Sequence, residues 1–187
     1  MTRGSRTREH LQEVALRLFS ERGFDEVTVA EIAAAAGVSH MTFFRHFPTK
    51  ERVVLDDPFD PAIGRAVAAT DPRLALPARV VGGLLSAWAQ VGEDPSARAR
   101  MQVASSHPAI WAQAWENNLR TEAVIVHALV ETGADAFAAR VATGSVLGGL
   151  MSALIDWGAH GTDEPLGDRV ARALLLMAPE LAGEVTT

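Results

Sequence analysis

A chain of 187 residues suits one domain, or a small domain joined to a larger one, at about 150 residues per domain. Apolar residues at 48% and charged residues at 21% exclude a disordered polymer, and the absence of cysteine excludes disulfide scaffolds, thiolate zinc sites and cysteine nucleophiles. The opening basic residues have no apolar stretch behind them, and the longest uncharged run, Val141 to Ile155, has 15 residues. Neither a secretory leader nor a membrane span is therefore expected, and a cytoplasmic protein is the simplest expectation.

The residue types point to helix. Alanine supplies 33 residues, tyrosine is absent, and alternating Val, Ile and Thr are scarce. Charge is uneven. Residues 1–52 carry eight basic and seven acidic side chains; residues 53–187 carry nine and sixteen. A short basic arm of Arg3, Arg6 and Arg8 precedes the first acid. An acidic body with a slightly basic head fits a protein that meets nucleic acid at one end, and a solvated tail fits the same charges.

Leu11, Val14, Ala15, Leu18 and Phe19 form one apolar helix face, which Gly23 ends. Thr28 followed by Glu31 is a capping box, and Val29, Ile32, Ala33 and Ala36 give a second, short stripe closed by Gly37. Ser39 caps a third helix carrying Phe43 and Phe47, Pro48 stops it, and Thr49 caps a fourth. Residues 28–47 thus read as short helix, turn, short helix. Phe19, Ile32, Val38, Phe43 and Phe47 are the expected core. His40, Met41, Thr42, Phe44 and Arg45 face outward, where the N-terminal residues of such a helix reach base edges in a major groove. A three-helix cap on a helical protein would carry the same spacing.

The string TVAEIAAAAGVSHMTFFRHFPTKE, with ALRLFSERGFDEVTV before it, resembles the N-terminal signature of TetR-family transcriptional regulators over residues 7–55. The resemblance implies a homodimer of all-α subunits. Residues 1–50 would form a three-helix helix-turn-helix DNA-binding domain, and residues 51–187 a helical ligand-binding and dimerisation domain. It also implies that Ser39, Thr42, His46 and Lys50 hold phosphates of a double-stranded operator. Thr28 would cap the second helix and reach the DNA backbone, with His40, Met41 and Thr42 nearest the base edges. Phe44 stands where relatives often place a tyrosine, so it would touch a sugar or a thymine methyl instead.

Beyond Lys50 the pattern stays helical, for nine to ten helices in all. Pro58 and Pro61 interrupt the fourth helix, and Pro77 opens one that runs to about Val91. Asp94-Pro95 starts another, to about Ser106. His107-Pro108 opens a long helix to Glu131, Asp135 starts one to about Trp157, and the last spans roughly 166–181. Trp88, Trp111 and Trp115, with Met101, are candidates to line an apolar effector pocket; ordinary core is the other reading. The stretch from Arg98 to Gly133 is loosely similar to TetR-like regulators that sense acyl-CoA-like ligands. Arg98, Arg100 and Arg120 would then meet a ligand phosphate, or else lie on the surface.

Gly144, Ser145, Gly148, Gly149 and Ser152 make a stripe of little bulk that lets a helix approach closely. In the resembled family the last two long helices pair into a four-helix dimer interface. Gly144, Gly148, Leu150, Met151, Leu154, Leu174 and Met177 are its candidates here; close packing within the chain is the alternative. His127 and Glu131 share a helix face, but no third metal ligand follows at a recognisable spacing. No phosphate loop, GxSxG elbow or carboxylate pair appears, so no catalytic residue, metal or cofactor is expected. The sequence reads as a ligand-responsive regulator acting as a repressor. A ligand-blind interaction module and a small metal-dependent helical enzyme remain the alternatives.

Overall fold

The computed structural model describes residues 3–55, 60–90, 96–160 and 164–182. Within them lie ten α-helices, one 3-10 turn and no strand. The helices are α1 (Arg3–Arg22), α2 (Val29–Ala35), α3 (His40–His46), α4 (Arg52–Leu55), α5 (Asp60–Ala68), α6 (Leu76–Ala89), α7 (Ala97–Ser106), α8 (Pro108–Glu131), α9 (Ala136–His160) and α10 (Leu166–Met177), followed by the turn Pro179–Leu181. The expected helices are present, with three differences. The basic arm is helical, because α1 begins at Arg3. The segment after Lys50 is two helices, with Pro61 in the first turn of α5, where its missing N–H is not needed. The last helix stops at Met177, before Pro179. Pro58 and the Asp94-Pro95 break lie outside the described residues.

The chain divides into two compact units, Met1–Asp56 with Pro95–Ala114 and Asp57–Asp94 with Trp115–Thr187. The N-terminal unit is therefore larger than residues 1–50. Val103, Ala104 and Ile110 share its core with Leu11, Phe19, Phe24, Ile32, Phe43, Phe47 and Val53. Helix α7 packs on α1 and α4, and supplies apolar surface that two short helices lack.

In the C-terminal unit α5, α6, α9 and α10 pack around Val67, Val80, Val81, Val146, Leu147 and Leu174, together with Ile125 and Leu129 of α8. Helices α5 and α6 approach so closely that a Cβ at Gly83 would strike the Val67 backbone. Arg79 is buried here, 2% exposed. Its Nε donates to Thr70 Oγ1 at 3.2 Å and its Nη2 to Thr132 Oγ1 at 2.7 Å. Each hydroxyl passes its own proton to a carbonyl at a helix end, Thr70 to Val67 and Thr132 to Leu129. The guanidinium thus sits against the negative ends of α5 and α8, which suits a cation.

Helix α9 is long and apolar enough to cross a bilayer by length and composition. Its composition has a packing reason. Ala139, Ala142, Thr143, Val146, Leu147 and Trp157 face the core. Phe137, Val141 and Ile155 stay exposed on another face.

Candidate nucleic-acid interface

The N-terminal unit fixes its helix-turn-helix by local chemistry. Gly23 has φ +89° and its N–H donates to the Phe19 carbonyl at 2.8 Å, which ends α1. Gly37, at φ +66°, donates to Ala34 O at 3.1 Å while Val38 N donates to Ala33 O at 2.9 Å. This paired closure needs a left-handed residue, which glycine supplies without a Cβ penalty. The capping box is complete. Glu31 N donates to Thr28 Oγ1 at 3.2 Å, and Thr28 N donates to Glu31 Oε2 at 2.8 Å. Arg22 Nη2 adds a bond to Glu31 Oε1 at 2.8 Å. The Thr28 backbone N–H, the Thr28 hydroxyl and Arg22 hold the Glu31 carboxyl down at about 2. Ser39 caps α3 by accepting from Thr42 N at 3.1 Å, and its hydroxyl lies 2.9 Å from that of Thr42.

The outer face of α3 carries the residues expected there. Met41 is 77% exposed and Phe44 40%, and His40 meets Phe44 edge-on at 4.8 Å. Phe43 and Phe47, on the other face, are fully buried. Helix α3 therefore presents an imidazole, a thioether and an aromatic edge to solvent beside Arg45, a mixed polar and apolar set suited to base edges and methyl groups.

Two expected phosphate ligands face differently. The Lys50 ammonium turns inward, donating to Phe24 O at 2.8 Å and Val27 O at 3.0 Å, 4.1 Å above the Phe24 ring. Two of its three N–H groups are thereby committed. His46 Nε2 is buried with no hydrogen-bond partner, so that nitrogen does not face a phosphate. Burial first, then the positive charges of Arg45 and Arg8, hold the imidazole below the ordinary histidine range. Sequence reasoning also missed Arg8, whose Nη1 donates to His46 O at 2.9 Å and whose guanidinium lies 4.3 Å over the Phe47 ring. Gln12 is a second such residue, donating to Val53 O at 2.8 Å. Their partners stand far along the chain, so no spacing pattern signals them.

The candidate effector residues do not share one unit. Met101 and Trp111 belong to the N-terminal unit, Trp88 and Trp115 to the C-terminal one. Trp115 is 53% exposed and not enclosed. Trp157 is buried, its Nε1 donating to Glu164 O at 2.8 Å. Arg120 is exposed beside Glu116. Among the dimer candidates Leu174 is fully buried and packs within its own chain, which removes it from any interface. Met177 lies against Gly149 of α9, also within the chain. A Cβ at Gly144 or Gly148 would meet nothing, so the open part of α9 is there. Leu176, at 78%, is the exposed large apolar residue of α10.

A capped two-helix reader on a supporting helix defines a helix-turn-helix protein. Residues 11–56 match the profile of bacterial regulatory proteins of the tetR family, and residues 76–182 match that of the MftR C-terminal domain. The chain belongs to the TetR family. It is 50% identical over 50 residues to the transcriptional regulator TcmR of Streptomyces glaucescens, a match covering 27% of this chain and 22% of that protein. That match thus spans about a fifth of the curated relative's length. A TetR-family regulator from Streptomyces coelicolor superposes with a TM-score of 0.54 at 26% identity, over 100% of this chain and 98% of that one. The repressor FadR of Thermus thermophilus, solved with lauroyl-CoA, shares the fold with a TM-score of 0.53 at 24% identity, over 91% and 93%.

Two outcomes follow from the inward groups. Lys50→Met removes the ammonium from two carbonyls, of which Phe24 O keeps a longer bond from Val27 N at 3.4 Å, and should destabilise the N-terminal unit by about 1–3 kcal/mol, read by urea unfolding. His46 is favoured neutral in the folded chain, so the unfolded chain takes up its proton first. Its contribution to stability is complete above the ordinary histidine range and is lost as pH falls through the lower folded value. Unfolding midpoints of His46→Gln between pH 8 and 5 should therefore fall less steeply than those of the native chain.

Proposed function

We propose that the protein is a cytoplasmic, homodimeric transcriptional repressor that binds a double-stranded operator through α3 and leaves it when a small, largely apolar effector binds the C-terminal unit. The observation that carries the reading is the exposed His40, Met41 and Phe44 edge on a helix whose other face is locked by Phe43 and Phe47. Large apolar groups held outward on a rigid support are costly in water unless a partner covers them, and a groove edge with thymine methyls is such a partner. Ser39, Thr42 and the remaining Lys50 N–H are the phosphate contacts, with Thr28 at the start of α2. The effector class has support from FadR, which was solved with lauroyl-CoA. Effector binding releases DNA to the extent that it favours the arrangement of the two reading helices that fits the operator less well.

The second copy docks on the open face of α9, where Phe137, Val141, Gly144, Gly148, Met151 and Ile155 follow one another at helical spacing. Gly148 tests this, because a Cβ there meets nothing within 4 Å in its own chain. Gly148→Leu should leave the subunit fold intact by circular dichroism and weaken the dimer by on the order of 1–3 kcal/mol in sedimentation. A native chain that sediments as a monomer at micromolar concentration would remove the dimer from the reading.

For DNA, duplexes selected from random sequence by the native chain give the test. Substituting His40 or Met41 with alanine should change preference at particular base pairs by about 1–3 kcal/mol, with little change in the salt dependence. Unaltered preference in both variants would take the base-reading role away from them.

A further inference from the structure

His107 closes α7 and stands immediately before Pro108, the first residue of α8. Its side chain is 22% exposed, and four neighbours surround the ring. Phe24 lies against it with centroids 5.2 Å apart. Nδ1 is 3.0 Å from the Val103 carbonyl and 3.0 Å from Ser106 Oγ. Nε2 faces Asp25 Oδ2 at 3.9 Å, an ion-pair distance. All of these residues belong to the N-terminal unit.

The proton inventory is informative. A carbonyl can only accept, so Nδ1 carries the hydrogen. The Ser106 hydroxyl spends its own proton on the Gln102 or Val103 carbonyl. In neutral imidazole Nε2 would then aim a lone pair at a carboxylate. Protonation turns that lone pair into an N–H, and the imidazolium then donates to the Val103 carbonyl at one end and faces the exposed Asp25 carboxylate at ion-pair distance at the other. The Val103 carbonyl comes from the last turn of α7, whose dipole also favours a cation. The charged groups nearby include Asp25 from the α1–α2 turn and the ammonium of Lys50, which lies over the Phe24 ring that the imidazole packs against. The same turn carries Thr28, the cap of α2.

The geometry points to His107 as a positioning residue for DNA binding, whose imidazolium clasps the α1–α2 turn to the α7–α8 junction and so steadies the capped start of α2 beneath α3. It rests on the DNA-binding reading and adds a control to it, since any displacement of the first turn of α8 acts on the same ring.

The native chain, His107→Gln, His107→Phe and Asp25→Asn are compared on duplexes selected by the native chain, at pH 8 and pH 6. His10, His40 and His46 are common to all four and cancel in the ratio. On acidification the native chain should gain about threefold in affinity relative to His107→Gln, as expected for a partly exposed ion pair, and Asp25→Asn should lose most of that gain. Amide exchange at residues 25–28, corrected for its intrinsic rate and measured without DNA, should slow on acidification in the native chain and not in His107→Gln. Equal pH dependence in the native chain and His107→Gln overturns the clasp. So does a loss in His107→Gln of the same size at both pH values that His107→Phe restores, since the ring would then act by packing alone. If the native chain selects no duplex, the DNA-binding reading fails, and the exchange measurement still decides the clasp.

Discussion

The N-terminal unit depends on one inward cation. The turn from Gly23 to Thr28 must leave α1, reverse, and present a capped α2. In doing so it buries Phe24 and Val27, at 4% and 0% exposure, with two carbonyls that no helix ladder can satisfy. Lys50 donates to both from the far side of α3, and its charge settles over the Phe24 ring. A buried carbonyl without a donor costs on the order of 1–3 kcal/mol; Val27 N also reaches Phe24 O at 3.4 Å, so it is above all the Val27 carbonyl that the ammonium satisfies. With the turn fixed, the Thr28 box starts α2, the Gly37 closure ends it, and Ser39 starts α3. Each step inherits its direction from the one before. The chain's sole lysine is therefore architectural before it is electrostatic.

This division between short-range and long-range chemistry also sets what the sequence reveals. Thr28 and Glu31, Gly37 and Val38, or Ser39 and Thr42 interact within a few positions of each other, so the helix-turn-helix is readable residue by residue. Lys50 with Phe24, Arg8 with His46, and Arg79 with Thr132 meet across 26, 38 and 53 positions. No periodicity encodes such pairs, and a lysine beside a helix start reads as a phosphate ligand until its direction is known. The same reasoning explains why α7 and the start of α8 belong to the N-terminal unit against expectation: Val103 of α7 and Ile110 of α8 have core partners on α1 to α4, far back in the sequence.

The open face of the C-terminal unit was partly legible. A small-residue stripe marks α9, and Gly144 and Gly148 indeed have room above them. On α10 the run Leu174, Leu175, Leu176, Met177 is apolar all round, so spacing cannot choose its inner side. The structure buries Leu174 and exposes Leu176. The tryptophans show the opposite limit. Their number suggests a lined cavity, yet Trp157 is a core residue with a satisfied indole and Trp115 stands half in water. Composition cannot distinguish these fates, because an indole has a large apolar body and a polar edge and suits either.

Arg79 has a wider effect. Residues 53–187 hold sixteen acids against nine bases, and burying a cation among them would ordinarily draw a carboxylate inside with it. Two threonine hydroxyls relayed to helix ends take that place, and among the described residues no carboxylate is buried. Ion pairs with arginines take up some of the acids, Glu122 and Glu164 among them, but acids outnumber bases and this half of the chain keeps a net negative charge. A duplex, itself a polyanion, is repelled from that surface, while the first 52 residues, with a small positive balance, are not. A cation hidden in the core thus helps keep the outside of the body uninviting to DNA, and restricts the orientations from which an encounter can begin.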